Sequence, residues 1–376
     1  MSHSRLITAG LAATGSAFFA AHHASAVYEP QTVTTVNVNT SDPDTDGANF
    51  IQGATYDNGV FSVLWSSVSG SEIVQVDTLG DAPGGDVSPV MTFFDWNFGP
   101  AGSDFASTGN FLGRFASGKF VFPTIGDDSV FTFDETAAAG SKVAVLADDA
   151  AIDTATGDST SFIQYSAYNA QTDALYFINN DSSPGEGGVF KVTNTGTVTE
   201  EAGDGAVTSA ISALPDFDIE ALTVTGPAGG ETFYFGSNDT ESIYAFDNAA
   251  DTANVLLDLG AALNNPAGVS STTLGGDGRL YFFEFISDSI YSVDPLAADV
   301  LSTLEVVMPA GDIAFTTGGG LSVGQLIWTD IDGGLLAFTQ TDNNNGVAGV
   351  YLVPEPASLA LLALGCMSMC GRRRRG

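Results

Sequence analysis

The sequence predicts an all-β fold, and three observations predict it. Helical periodicity is nearly absent between the two end segments of the 376-residue chain. The middle reads instead as short Val-, Ile-, Phe- and Tyr-rich segments separated by Gly, Asn, Asp and Ser, the pattern of strands joined by tight turns. One six-residue segment also recurs six times, which marks a repeat architecture. Its copies are Glu72 to Asp77, Ser129 to Asp134, Gly188 to Thr193, Ser242 to Asp247, Ser289 to Asp294 and Gly334 to Thr339. Their ends lie 57, 59, 54, 47 and 45 residues apart.

Each unit can be filled in around that segment. An aromatic strand precedes every copy: Phe61 to Trp65, Phe120 to Phe122, Leu175 to Ile178, Phe233 to Phe235, Leu280 to Phe283 and Leu326 to Trp328. A further strand precedes some of those, as in Phe217 to Val224 and Asp312 to Phe315. A less regular fourth follows, as in Val143 to Leu146 and Asn254 to Leu259. Four strands per unit and six units predict a six-bladed β-propeller. A β-solenoid or a pair of tandem sandwiches are the rival all-β arrangements. The segment Thr32 to Val38 has no unit of its own and is expected to complete the last blade beside Gly349 to Val353. That would close the ring and remove edge strands that invite aggregation.

The chain ends carry a different message. Arg5, an apolar stretch from Leu6 to Ala21, and Ala24-Ser25-Ala26 have the layout of a secretory signal peptide, with cleavage expected between Ala26 and Val27. At the other end Pro354-Glu355-Pro356 precedes an apolar run, Ala357 to Cys370, and then Arg372, Arg373, Arg374 and Arg375. Arginine is costly to move across a bilayer, so this cluster is expected to stay cytoplasmic while the rest of the chain lies outside. Fourteen helical residues reach only about 21 Å, short of a hydrocarbon core of about 30 Å, so this segment is a marginal anchor and the only membrane contact expected. The expected domains are residues 1–26, 27–353 and 354–376.

The tail, Val353 to Gly376, closely resembles the PEP-CTERM sorting signal: Pro-Glu-Pro, a short apolar helix and a terminal arginine cluster, in that order. The resemblance implies processing by an exosortase after signal peptidase has acted. It implies delivery to the outer envelope, cell surface or extracellular matrix of a Gram-negative-type bacterium.

Composition narrows the function of the middle. Residues 27–353 hold 44 carboxylates and five cations (Arg114, Lys119, Lys142, Lys191 and Arg279), a formal charge of −39. That balance argues against binding nucleic acid or an anionic membrane, and it favours divalent cations or a salty medium. His3, His22 and His23 lie in the expected signal peptide, and Cys366 and Cys370 lie in the tail. The expected exported domain therefore has no His- or Cys-dependent nucleophile system, no His- or Cys-ligated metal and no disulfide. Its core alone must hold it together, which more than 300 residues can do.

Candidate sites follow from the carboxylates. In Asp42-Pro43-Asp44-Thr45-Asp46-Gly47, three carboxylates at alternate positions precede a turn glycine, a pattern able to wrap Ca²⁺ in hard oxygens. It looks like the first half of an EF-hand loop, although Gly53 stands where a bidentate Glu would be and no helices flank it. Asp216-Phe217-Asp218-Ile219-Glu220 lies where an innermost strand should begin, so its carboxylates are placed to face a central channel. Asp95-Trp96-Asn97-Phe98 and Asp330-Ile331-Asp332 are loop candidates, and the aromatics of the first could stack on sugars of an extracellular polysaccharide. Asp342-Asn343-Asn344-Asn345-Gly346 reads as a plain turn.

The unit pattern, as in Gly278 to Glu284 followed by Ser289 to Asp294, looks like the broad NHL/lactonase-like propeller group. Asp218-Ile219-Glu220-Ala221-Leu222 looks like the first-strand motif of phytase- and esterase-like propellers, which implies Glu220, with Asp218, as metal ligands. Three functions are expected in order: a non-catalytic surface scaffold, a Ca²⁺-dependent lactonase- or phytase-like hydrolase, and a Ca²⁺-dependent glycan-binding module.

Overall fold

A computed structural model describes residues 34–37, 50–57, 60–67, 70–77, 90–96, 111–124, 128–138, 141–157, 163–179, 188–203, 219–237, 240–263, 268–284, 286–287, 289–309, 322–329, 335–342 and 345–352. The short apolar segments fold as antiparallel strands, and the described strands assemble into six four-stranded sheets.

After β1 (Thr34–Asn37), the first sheet runs β2 (Phe50–Asp57), β3 (Val60–Ser67), β4 (Gly70–Asp77) and β5 (Val90–Trp96). The next is β6 (Gly113–Arg114), β7 (Phe120–Thr124), β8 (Ser129–Phe133) and β9 (Val143–Ala147), followed by helix α1 (Asp149–Thr156). The third is β10 (Ile163–Asn169), β11 (Ala174–Asn179), β12 (Gly188–Thr193) and β13 (Val198–Gly203). The fourth is β14 (Ile219–Thr225), β15 (Thr232–Ser237), β16 (Ser242–Asp247) and β17 (Thr252–Asp258), and helix α2 (Leu259–Ala262) follows it. The fifth is β18 (Val269–Leu274), β19 (Leu280–Glu284), β20 (Ser289–Val293) and β21 (Glu305–Met308). The last is built from both chain ends: β22 (Ser322–Thr329), β23 (Leu335–Asp342), β24 (Asn345–Leu352) and then β1.

The first strands of the sheets, β2, β6, β10, β14, β18 and β22, each lie against the next, and β22 returns to β2. The arrangement is a β-propeller, with these strands around the axis. Closure is by hydrogen bonding: β1 pairs with β24 in the register Thr34↔Val350, Thr35↔Gly349, Val36↔Ala348 and Asn37↔Val347.

Packing explains the residue pattern. A blade of a propeller is covered on both faces by its neighbours, so middle strands such as β7, β11, β19 and β20 are buried throughout. Alternate residues go to opposite interfaces. Tyr176 and Ile178 of β11 join Leu222, Phe233 and Phe246 of the following blade. Leu175 and Phe177 join Phe111, Val121 and Ile152 of the preceding one. The outermost strands leave that cover, and Val145, Val255 and Val306 are exposed on β9, β17 and β21.

Helix α1 was not expected from periodicity. Asp148 caps it by accepting from the Ala151 N–H at 3.0 Å, and Ile152 plugs it into the core with no exposure.

The expected unit boundaries need one correction. The recurring segment is the third strand in five sheets, but Gly334 to Thr339 enters the second strand of the last sheet, β23, and Leu326 to Trp328 belongs to the innermost strand, β22. Two apolar segments separated by a Gly-rich turn look the same at either position. The true third strand, β24, is Gly-rich and lacks the aromatic signature. The segment 312–315 lies outside the described residues.

Candidate functional site

The innermost strands enclose a cavity of about 830 Å³. Its wall is contributed by all six of them and by the turns that lead to the second strands, at Gly118, Gln171 and Gly276. Gly275 belongs to one of these turns. A Cβ there would lie 2.7 Å from the Tyr281 ring and 3.2 Å from Trp328, so the turn can press against this aromatic pair only as glycine. Trp328 stacks on Tyr281 with ring centroids 5.2 Å apart.

The wall is neutral apart from one side chain among the described residues, Arg114. Arg114 donates to Gly118 O at 3.0 Å and to Glu135 at 3.0 Å, and its guanidinium lies over the Phe120 ring. The remaining polar groups are hydroxyls and amides, and several of them stitch blades together. The Thr223 and Thr272 hydroxyls share a hydrogen bond of 2.8 Å between the fourth and fifth blades. The Leu326 N–H donates to Ser271 Oγ at 2.8 Å. Gln325 Oε1 accepts from two backbone N–H groups, Ala54 at 2.8 Å and Leu112 at 3.1 Å, tying the last blade to the first two. One hydroxyl differs: Ser166 lines the cavity, but its Oγ is closed off from solvent and has no hydrogen-bond partner among the described residues.

Carboxylates at the turn end are taken up by tyrosines. Tyr168 donates to Asp173 at 2.7 Å, Tyr281 to Asp277 at 2.7 Å, and Tyr176 to Glu231 at 3.0 Å. Burial pushes the Tyr168 hydroxyl well above its ordinary range, and the Asp173 partner adds to this. Burial also pushes the Asp173 carboxyl up, but hydrogen bonds from the Ala116 N–H, Tyr168 and Asn194 outweigh it and hold the group below its usual value.

The inner end of the cavity carries a feature that the sequence reading missed. Five innermost strands have a register shift near their start: Ile51/Gly53, Ile163/Ser166, Ile219/Ala221, Val269/Ser271 and Val323/Gln325. Such bulges re-aim the chain and cluster near functional sites. The residues that follow the β-branched position are Gln52, Gln164, Glu220, Ser270 and Gly324. Glu220 therefore stands at the bulge of β14, in register with two glutamines. The repeated Ile-Gln, Ile-Gln, Ile-Glu was the signal available in the sequence.

Few of the other candidates lie among the described residues. Asp95 and Trp96 end β5, an outermost strand, opposite Glu72 and Ser71. Asp342 and Asn345 pair across the β23–β24 hairpin, as a turn requires. Asp42, Asp44, Asp46, Asp218, Asp330 and Asp332 lie outside the described residues, as do Asn97 and Phe98. So do Ala24, Ala26, Pro354, Glu355, Pro356 and Arg372 to Arg375. Among the described residues no group of three or more His, Cys, Asp or Glu is placed to hold a metal, and no helix is long and apolar enough to cross a membrane.

These features define an exported protein built on a propeller, and comparison with known proteins agrees at both levels. The PEP-CTERM protein-sorting motif matches residues 352–375, which implies export, envelope-associated sorting in bacteria and processing by an exosortase. No curated protein matches the chain. Among solved structures, a luciferin-regenerating enzyme is similar over 86% of this chain and 98% of its own, at 11% identity and a TM-score of 0.55. Regucalcin from Agrobacterium tumefaciens, a calcium-binding protein, covers 82% and 92% at 13% identity and a TM-score of 0.51. A protein assigned as a gluconolactonase covers 86% and 94%, also at 13% identity and a TM-score of 0.51. At these identities the likeness concerns the fold alone, and it places the chain structurally among NHL/lactonase-like propellers.

Proposed function

We propose that the chain is a non-catalytic binding scaffold, six-bladed, that is delivered to the outer envelope, cell surface or matrix of a Gram-negative-type bacterium. The observation that carries this reading is the cavity wall. Several of its hydroxyls and amides are spent in joining blades, which makes it rigid, and the others line a space that suits a ligand. In this reading signal peptidase cuts after Ala26 and an exosortase acts at Pro354-Glu355-Pro356.

A second reading is favoured by one observation, the bulge position of Glu220. Glu220, with Asp218 and the amides in register at Gln52 and Gln164, would supply hard oxygens for Ca²⁺ at the inner end of the cavity, as a lactonase- or phytase-like hydrolase needs. The Asp42, Asp44 and Asp46 loop is a separate Ca²⁺ proposal, which would serve stability or a calcium-dependent glycan-binding module.

One set of measurements separates the readings. The purified full chain is melted with Ca²⁺ and with EDTA at fixed ionic strength, then offered lactones and phosphate esters. The scaffold reading expects no turnover of either substrate. Turnover that Glu220→Gln abolishes, together with a Ca²⁺-dependent rise in melting temperature, would replace it with the hydrolase. A Ca²⁺-dependent rise lost on Asp42→Ala or Asp44→Ala, without turnover, assigns the ion to the N-terminal loop.

A further inference from the structure

We infer that the axial cavity takes a neutral, hydroxyl-rich ligand, a saccharide, entering from the end where the innermost strands turn back. This rests on the scaffold reading and gives that scaffold a ligand class.

Size is the first argument. About 830 Å³ lies within the range of small-molecule pockets, roughly 300–1,000 Å³, so a short oligosaccharide end can be enclosed. Wall chemistry is the second. Sugars present hydroxyls at the ring edge and apolar C–H groups on the ring face, so their sites combine neutral hydrogen-bonding groups with aromatic surfaces. Here Thr225, Thr273 and Gln171 line the same wall as Tyr168 and Trp328. Both aromatics are held in place, Trp328 by Tyr281, and Tyr168 by Asp173 and an edge-to-face contact with Phe115 at 6.0 Å.

The reachable hydroxyls are the third argument. Thr223, Ser271, Thr272 and Gln325 are spent on protein groups, whereas Thr225 and Thr273 are half-buried on the same wall, where a ligand can reach them. Ser166 Oγ, closed off from solvent and without a partner among the described residues, is a cost in the free protein that a ligand does not relieve.

Charge selects the neutral class. Arg114, the one charged residue on the described wall, is engaged by Glu135, and the whole chain carries a formal charge of −35. A polyanionic polysaccharide would be repelled before it reached the wall.

The test is titration calorimetry of the purified full chain with neutral tetrasaccharides (maltotetraose, cellotetraose and chitotetraose) and with tetragalacturonate as the anionic probe. At least one neutral sugar should bind, independently of Ca²⁺. Thr225→Val should weaken that binding about five- to tenfold. Thr273→Val should weaken it as well, which guards against reliance on a single variant. Ser166→Ala, which removes a hydroxyl closed to solvent, should bind as the parent does and is the control. The inference is overturned if no neutral sugar binds, if tetragalacturonate binds in preference, or if both Thr variants bind as the parent does. Failure here without turnover of lactone or ester removes the ligand class and leaves the scaffold. Turnover removes the scaffold reading whatever the sugars do.

Discussion

Gln325 is the side chain on which ring closure can be tested most directly. Its Oε1 accepts from Ala54 N at 2.8 Å and Leu112 N at 3.1 Å, and its Nε2 makes a long contact, 3.4 Å, to Leu112 O. One buried carbonyl thus serves two backbone donors on two other blades. Gln325→Leu keeps the approximate volume and removes the acceptor, leaving both N–H groups without it. An orphaned buried donor costs about 1–3 kcal/mol, so the pair should cost about 2–6 kcal/mol, toward the lower end if cavity water reaches them. At about 2 cal/mol/K of unfolding entropy per residue over some 320 residues, 1 kcal/mol moves the melting temperature by about 1.5 °C. The expected fall is therefore about 3–9 °C by calorimetry. Gln325→Glu is an informative second variant: its carboxyl still accepts from both donors, but burying the ionised form beside the Leu112 carbonyl adds a cost of its own, so it should gain on Gln325→Leu as the pH is lowered and the carboxyl takes up a proton. If Gln325→Leu melts within about 1 °C of the parent, the two hydrogen bonds do not contribute as reasoned.

Three further outcomes are expected. Glu231 is fully buried and accepts from Tyr176 at 3.0 Å and Asn248 at 3.1 Å; burial raises its pKa, but these bonds and the Lys191 charge bring it below its ordinary 4.5. A depressed carboxylate contributes stability that is fully present above the unfolded value and lost as pH falls through the folded one. The stability gap between the parent and Glu231→Gln should hence be largest near neutrality and shrink below about pH 4.5 in urea titrations, and a gap constant with pH would refute the assignment. Gly53→Ala should destabilise by about 1–3 kcal/mol or more, because the new Cβ would lie 2.3 Å from backbone atoms of Phe111 and Leu112, which cannot swing aside; an unchanged denaturant midpoint would show that the first two blades are not packed so closely. Finally, with a formal charge of −35 the melting temperature should rise as NaCl is added, and a flat response would mean that self-repulsion is not a significant burden on the fold.

The architecture was legible in the sequence because its repeat is dense in aromatics. Second strands such as Leu280–Glu284 and third strands such as Ser289–Val293 are buried on both faces, and their composition announces it. Innermost strands are harder to see. They carry Ser, Thr, Gln and Gly because one edge faces a polar channel, so Ser322–Thr329 was assigned to the wrong place in its blade. The candidate site was half legible. Glu220 was picked out with Asp218 as part of an acidic strand start, and the paired strands add that it stands at a bulge, as Gln52 and Gln164 do in their own sheets. Ser166 could not be found at all. Nothing in Tyr165-Ser166-Ala167 separates an orphaned hydroxyl from the satisfied ones of Thr223 or Ser271, since the difference is made by partners 49 to 55 residues away in sequence.

The last blade joins the fold to the sorting chemistry. Its outermost strand, Thr34–Asn37, begins eight residues after the expected cleavage position at Ala26, and its neighbour, Asn345–Leu352, ends where the sorting motif begins at 352. The expected signal cleavage position and the sorting motif thus fall at the edges of the one sheet that draws on both chain ends. A cut at Pro354 to Pro356 spares every residue of the β1–β24 ladder, whose last partner is Val350. A cut a few residues earlier would remove partners of Thr34 and Thr35 and leave β1 with too little to pair, exposing an unpaired edge at the seam of the ring. Proline suits a boundary on the same physics, because it has no N–H to extend a ladder.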